Sequence, residues 1–222
     1  MEVTMLRLSR AEAGRRLAAG LGATVKDIPV VIAVSPGGVR VASEVARAFD
    51  APLDLWIAVR LEVPGRAHSI FGAVADGESI VLPERVKQLG LPQDYVDGIV
   101  AITHGDVEKL ARSWRNGLPA LELAGKVVIL VDDGLSESVL VAAVARALRA
   151  RGARRLIYAA PAAAPELWSA LGSYCDDRLL LFPADAPAGA MICDPQFEQT
   201  TRLEVAAMLR RSRPAALVTA TR

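Results

Sequence analysis

The fold class is decided by Val127-Val128-Ile129-Leu130-Val131-Asp132-Asp133-Gly134-Leu135, which continues into Ser136-Glu137-Ser138-Val139-Leu140. A run of β-branched and aliphatic residues ends abruptly in two adjacent carboxylates, and a helical pattern begins a few residues later. That order is typical of a buried parallel strand followed by a helix. Open α/β folds place their ligands at the carboxyl ends of such strands. We therefore predict that Asp132 and Asp133 lie at a ligand-binding edge of a sheet.

The rest of the chain repeats this alternation of short apolar strands and amphipathic helices. Further strands are predicted over 28–34, 53–59, 155–160 and 178–182, and helices over 10–21, 39–49, 139–151, 165–172 and 198–211. Strands that alternate with helices in this way indicate a parallel sheet. The predicted fold is a single α/β domain over residues 1–222, with a mainly parallel, twisted sheet of about five strands flanked by helices.

Two segments between the predicted strands at 53–59 and 127–131 depart from the pattern. In 61–83, Gly65, Gly72 and Gly77 separate short extended stretches, which predicts a small irregular hood of short strands. The segment 92–116 is long, polar and periodic, and it predicts either one long helix or two helices broken near Gly105. Both segments are expected to be insertions into the same domain.

Composition and charge exclude several classes of function. Hydrophobic residues make up 52% of the chain, which argues against extensive disorder. The net charge of +1 gives no reason to expect a nucleic-acid or membrane-surface partner. No uncharged apolar run reaches the ~18–20 residues that span a bilayer, and residues 1–10 lack the apolar core of a secretory signal. We expect a cytoplasmic protein.

The histidines and cysteines are too scattered to predict a metal or redox site. Cys175 and Cys193 lie far apart with no histidine nearby, so both are expected to be structural thiols. His104 is expected on the surface of the long helix. His68, in the hood, would need a hydrogen-bonding partner to act as a general base, and the sequence does not identify one. The three tryptophans, at positions 56, 114 and 168, are expected to serve packing.

The acidic pair and one glycine turn each allow two interpretations from the residues alone. Asp132 and Asp133 have the chemistry to bind a divalent cation or a sugar diol, or to cap the following helix and interact with its dipole. The turn Ser35-Pro36-Gly37-Gly38 separates a predicted strand from a predicted helix, so it is either a simple tight turn or part of an anion-binding loop. The residues leave both choices open.

Together these motifs resemble the type I phosphoribosyltransferase domain family, from about residue 13 to residue 205. In that family the two acids after the strand hold the ribose hydroxyls of phosphoribosyl pyrophosphate (PRPP), which assigns this role to Asp132 and Asp133. The loop that follows holds the 5′-phosphate, and its positions are taken here by Ser136, Glu137, Ser138, Val139 and Leu140. The turn of residues Ser35, Pro36, Gly37 and Gly38 resembles the pyrophosphate loop. The segment 194–201 resembles the acidic-aromatic C-terminal segment of these proteins.

The chain departs from the family pattern where the phosphates would bind. Glu137 and Leu140 fall on threonine positions and Ser138 falls on a glycine, so the loop gains a carboxylate and loses hydroxyl donors. Pro36 occupies a position usually held by a basic residue, although a prolyl bond there allows a cis peptide at low cost. Arg40 and Arg60 are weak candidates for a substitute cation. We expect these changes to weaken binding of the 5′-phosphate.

The resemblance implies a transferase that moves ribose 5-phosphate from PRPP to a nitrogenous base. Mg²⁺ is expected only with bound PRPP, held by Asp132 and Asp133 through the substrate. The expected partner is a small phosphoribosyl or nucleotide-like ligand, and the family habit predicts a homodimer. Three hypotheses follow: a working transferase on an altered substrate, a non-catalytic module that binds a nucleotide-like ligand, and a pseudoenzyme that acts through oligomer or partner contacts.

Overall fold

The computed structural model of the protein describes residues 8–183 and 200–213. The strands in these ranges are β1 (Val30–Ala33), β2 (Leu53–Leu55), β3 (Ala58–Glu62), β4 (Ile70–Ala75), β5 (Glu78–Val81), β6 (Val127–Val131), β7 (Arg155–Ala160) and β8 (Asp177–Leu180). The helices are α1 (Arg10–Leu21), α2 (Gly38–Ala48), α3 (Pro83–Leu89), α4 (Gln93–Arg115), α5 (Ser138–Ala150), α6 (Pro165–Ala170) and α7 (Arg202–Arg211). A short 3₁₀ turn, Leu171–Ser173, extends α6.

The main sheet has five strands in the order β2-β1-β6-β7-β8, and every neighbouring pair is parallel. Its central strands are buried on both faces: β1 and β6 have no exposed residue. One face packs against α1, α2 and α7, and the other against α5, α6 and β4. This two-sided burial explains why the strands are continuous apolar runs, as the sequence predicted. The α/β fold class is confirmed.

The second sheet is antiparallel and has the order β3-β4-β5. One side of it, with Ala73 and Ala75, joins the core beneath α5. The other side, with Leu61, Phe71 and Val74, packs against Val96 and Val107 of α4. The short strands predicted within the hood are therefore present, and they form a layer between α5 and the long helix.

One predicted strand is divided between two sheets, one of two alternatives for a helical segment is found, and one helix was not predicted. The segment 53–59 was predicted as one strand, but β2 ends at Leu55 and β3 begins at Ala58 in the other sheet. The prediction was wrong because an apolar run carries no signal for a change of sheet. The long segment 92–116 forms one unbroken helix, α4, and Gly105 does not interrupt it. Helix α3 was not predicted.

Some predictions concern residues outside the described ranges. Cys193 and most of the segment 194–201 lie there, as do the first two residues of the helix predicted over 198–211. Helix α7 begins at Arg202, after a capping box between Thr201 and Glu204. In the described ranges, no helix is both long enough and apolar enough to cross a membrane.

Candidate functional site

A cavity of about 520 Å³ lies where the loops after β1 and β6 meet. From the first loop it is lined by Ser35, Pro36 and Gly37, and from the second by Asp133, Leu135, Ser136, Glu137 and Leu140. Both loops follow the carboxyl ends of adjacent parallel strands, so the topology brings together two motifs that lie almost 100 residues apart. Arg10, Trp114 and Thr200 complete the lining among the described residues.

Asp133 is the carboxylate of the acidic pair that lines this cavity, and Arg10 binds it. The guanidinium donates from Nε and Nη2 to Oδ2 of Asp133, at 3.2 and 3.0 Å. The Asp133 side chain is 4% exposed and that of Arg10 is 15% exposed. A charge-assisted pair with so little water around it is stronger than one on the surface. Arg10 therefore neutralises the acid that faces the cavity.

Gly37 permits this arrangement because no side chain fits at its position. A Cβ atom there would lie 2.5 Å from Oδ2 of Asp133 and 3.0 Å from Nη2 of Arg10. The next residue, Gly38, donates its backbone N–H to Oγ of Ser35 at 3.0 Å. The Ser35–Pro36 peptide bond is trans. The glycine turn thus packs its backbone directly against the Arg10–Asp133 pair at the start of α2.

Asp132 is not among the residues that line the cavity and is buried in the core. It is fully buried, and its oxygens accept hydrogen bonds from Oγ of Ser136 at 2.6 Å and from the hydroxyl of Tyr158 at 3.3 Å. Burial, and secondarily the charge of Asp133, raise the pKa of Asp132 to about 7. Asp132 therefore holds its proton to a higher pH than a carboxyl group in water does.

The loop that leads into α5 places one carboxylate at the mouth of the cavity. Glu137 accepts a hydrogen bond from Nη1 of Arg60 at 2.7 Å, and both side chains are more than 40% exposed. Arg60 lies on β3, so this pair connects the three-stranded sheet to the loop. Ser136 and Leu140 also line the cavity, whereas Ser138 and Val139 do not.

Other predicted candidates lie away from the cavity lining. Arg40 binds Oγ1 of Thr200 at 3.2 Å and Oε1 of Glu204 at 2.9 Å, which ties α2 to the start of α7. His68 is exposed, and its carbonyl accepts a hydrogen bond from Arg85. Cys175 is a buried free thiol, and burial raises its pKa to about 12.

Sequence reasoning missed Arg10, Trp114 and Thr200 as residues of the cavity. One available signal pointed to Arg10: a helix that leads into a parallel strand must begin near the carboxyl edge of the sheet, and Arg10 is the first residue of α1. Trp114 was expected to pack, and it does pack against the core as well as line the cavity. No local pattern distinguishes Thr200.

The described residues contain no cluster of three or more side chains that could hold a metal ion by themselves. Mg²⁺ usually takes one or two carboxylates from a protein and further oxygens from phosphates and water. Asp133, which borders the cavity, fits that role in the presence of a phosphorylated ligand. Asp132 is buried and accepts hydrogen bonds from Ser136 and Tyr158, so its part in holding the ion stays a prediction.

A parallel sheet with a glycine turn and an acidic strand end at its carboxyl edge defines an open α/β protein with a cavity at the position where this class binds its ligands. A family model described as the phosphoribosyl transferase domain matches residues 7–179. The chain belongs to this family.

Two Mycobacterium tuberculosis proteins, from strains CDC 1551 and H37Rv, are described as candidate phosphoribosyl transferases, and each is 30% identical over 173 residues. The match covers 78% of this chain but only 39% of each relative, so the chain spans about two-fifths of their length. The crystal structure of TT1426 from Thermus thermophilus is also similar, at 29% identity and a TM-score of 0.76. That likeness covers 94% of this chain and all of TT1426.

Proposed function

We propose that the cavity binds PRPP together with Mg²⁺ and that the protein transfers ribose 5-phosphate to a nitrogenous base. The observation that carries the proposal is the meeting of the two loops on one cavity, with Asp133 and the Gly37 turn in contact. A carboxylate suits the ribose hydroxyls, and a glycine turn at the start of a helix lets a diphosphate approach the backbone closely. Asp133 would hold the Mg²⁺ that arrives with the ligand, and this ion would neutralise the diphosphate.

The altered loop does not exclude a phosphate, because its added carboxylate is already paired. Nη1 of Arg60 lies 2.7 Å from Oε1 of Glu137. The positive charge of Arg60 offsets part of the repulsion expected between the Glu137 carboxylate and a phosphate. Ser136 supplies a hydroxyl at the cavity wall, although its Oγ donates to Asp132 in this structure. The 5′-phosphate end of the cavity is therefore the weaker half of the proposed site.

The test is a calorimetric titration of PRPP with Mg²⁺ into the purified protein, with ribose 5-phosphate and pyrophosphate as separate controls. We expect PRPP to bind and ribose 5-phosphate alone to bind much more weakly. Addition of a panel of nitrogenous bases should then release pyrophosphate. An inorganic pyrophosphatase converts this product to phosphate, which a colorimetric assay measures. Absence of heat with all three ligands would contradict the proposal.

A second function is favoured by one observation: Glu137 and Leu140 both line the cavity where a phosphate would lie. A module that binds a nucleotide-like ligand without catalysis tolerates such a loop, because it needs no aligned leaving group. Binding of PRPP without pyrophosphate release from any base would support this alternative. A homodimer and contacts with other proteins remain expectations from the family, and sedimentation tests the first of them.

A further inference from the structure

Arg10 supplies the positive charge with which this cavity can attract an anionic ligand. Among the lining residues in the described ranges, it carries the one cationic side chain, and it lies between Asp133 and the Gly37 turn. Two of its N–H groups, Nε and Nη2, already point as a fork at one carboxylate oxygen. The same fork matches two oxygens of a phosphate.

The helix that carries Arg10 is held firmly against the glycine-turn helix. Ser9 caps α1 by accepting a hydrogen bond from the backbone of Glu12. Gly14 brings α1 against α2 so closely that a Cβ atom would lie 2.4 Å from the carbonyl oxygen of Val41. The Cα of Arg10 is therefore fixed beside the turn, and movement of its guanidinium is a matter of side-chain rotation.

We propose that Arg10 is the diphosphate-binding residue of this cavity and that its ion pair with Asp133 couples binding of the diphosphate to binding of the ribose. The inference rests on the proposed function for the identity of the ligand. A diphosphate that binds alone takes Arg10 away from Asp133. The Asp133 side chain, which is only 4% exposed, then lies without its cation beside the negative charge of the ligand, which is unfavourable. PRPP with Mg²⁺ replaces both partners at once, because its diphosphate takes Arg10 while its hydroxyls and metal ion take Asp133.

This coupling makes an unusual prediction for the variant Asp133→Asn. Removal of the carboxylate releases the guanidinium from this ion pair, so inorganic pyrophosphate without added metal should bind Asp133→Asn at least about tenfold more tightly than it binds the wild type. The double variant Arg10→Gln/Asp133→Asn should lose this gain. Arg16→Gln is the matched control, because Arg16 lies on the same helix, pairs with Glu12 on the surface and does not line the cavity.

The experiment is calorimetry of pyrophosphate with the full chain and these variants, with circular dichroism to confirm that each is folded. A gain in Asp133→Asn that disappears in the double variant supports the proposal. No gain, including no detectable binding to either protein, overturns it, and so does a gain that survives in the double variant.

A second titration keeps the proposal testable if Asp133→Asn does not fold. PRPP with Mg²⁺ should bind Arg10→Gln at least about tenfold more weakly than the wild type, and Arg10→Lys should lie between them, because lysine keeps the charge but not the fork. Unchanged affinity in both variants overturns the role of Arg10. A pyrophosphate gain in Asp133→Asn together with no PRPP binding to the wild type would remove the proposed function and leave Arg10 as an anion-binding residue.

Discussion

Two buried carboxylates on either side of β1 have opposite surroundings. Asp54 of β2 is fully buried and lies 3.0 Å from Nε of Arg115 and 2.9 Å from Nη2 of Arg213. Asp132, after β6, is equally buried, but hydroxyl groups bind it and its neighbour in sequence is another acid. The strand order β2-β1-β6 places both in the same sheet.

The two acids differ in their partners: two guanidinium groups bind Asp54, whereas hydroxyl groups bind Asp132. Asp54 also accepts backbone N–H groups from Leu55 and Leu121, so it joins β2 to the ends of α4 and α7 and to the chain before β6. The cluster formed by Asp54, Arg115 and Arg213 has an excess of positive charge, and burial lowers the pKa of Arg213. The hydrogen bonds to Asp132 lower its pKa only in part, and burial together with the charge of Asp133 raises it above the usual value.

The largest expected effect comes from the removal of Asp54. The variant Asp54→Ala leaves two buried guanidinium groups without their carboxylate, and we expect the free energy of unfolding to fall by about 3–5 kcal/mol. Urea denaturation followed by circular dichroism measures this change. Asp27→Ala is the control, because Asp27 pairs with Arg154 on the surface, where both side chains are at least 60% exposed. An equal loss in the two variants would show that Asp54 has no special structural role.

The second effect is a loss of stability with rising pH that originates at Asp132. The pKa of Asp132 is about 7 in the folded protein, above its ordinary value of 3.8, so the folded state holds one more proton than the unfolded state between these values. Stability from this group is complete below pH 4 and is lost as the pH rises through 7, by about 3 kcal/mol between pH 5 and pH 8.

The variant Asp132→Asn tests the origin of this pH dependence. An amide keeps the shape of the protonated acid and cannot ionise, so the variant should lose less stability than the wild type between pH 5 and pH 8. Urea denaturation at the two pH values gives the comparison. A wild-type slope that persists unchanged in Asp132→Asn would assign the titration to another group.

The third effect concerns ligand affinity at the edge of the sheet and leaves the Asp54 cluster untouched. Replacement of Glu137-Ser138-Val139-Leu140 by Thr-Gly-Ala-Thr removes a carboxylate and adds hydroxyl donors where a 5′-phosphate would lie. We expect ribose 5-phosphate to bind about tenfold more tightly. Calorimetry measures the gain, and Arg16→Gln again serves as a control. If the affinity does not rise, the alignment of this loop with a phosphate-binding loop is wrong.

The fold could be predicted largely from the sequence because its central strands are buried on both faces. The apolar runs at 127–131 and 155–160 match β6 and β7, and α1 has the predicted bounds Arg10–Leu21. Local pattern was insufficient where the chain changes sheet after Leu55, since the segment 53–59 is a mainly apolar run without a glycine or proline to mark the change. Helix α3 has no buried residue, so it gave no hydrophobic period to detect.

The site could be predicted only in part, because two of its properties depend on three-dimensional packing. Strand alternation implies that Asp132 and Asp133 face opposite ways, but it does not specify which one faces the cavity. The pairing of Arg10 with Asp133 spans 123 residues of sequence. Only the assembled sheet brings these groups together.

The smallest expected effect is the coupling between Arg60 and Glu137. Both side chains are exposed by more than 40%, so a double-mutant cycle with Arg60→Gln and Glu137→Gln should give a coupling of about 0.2–1 kcal/mol in the free energy of unfolding. The coupling should shrink in about 0.5 M salt, because salt screens the attraction between surface charges. The Asp54 cluster should respond much less to salt, because water is excluded from it. A coupling larger than that of a surface pair would mean that this contact holds the three-stranded sheet to the α5 loop. The molecule would then have a second structural ion-pair contact, at the mouth of the cavity, besides the Asp54 cluster.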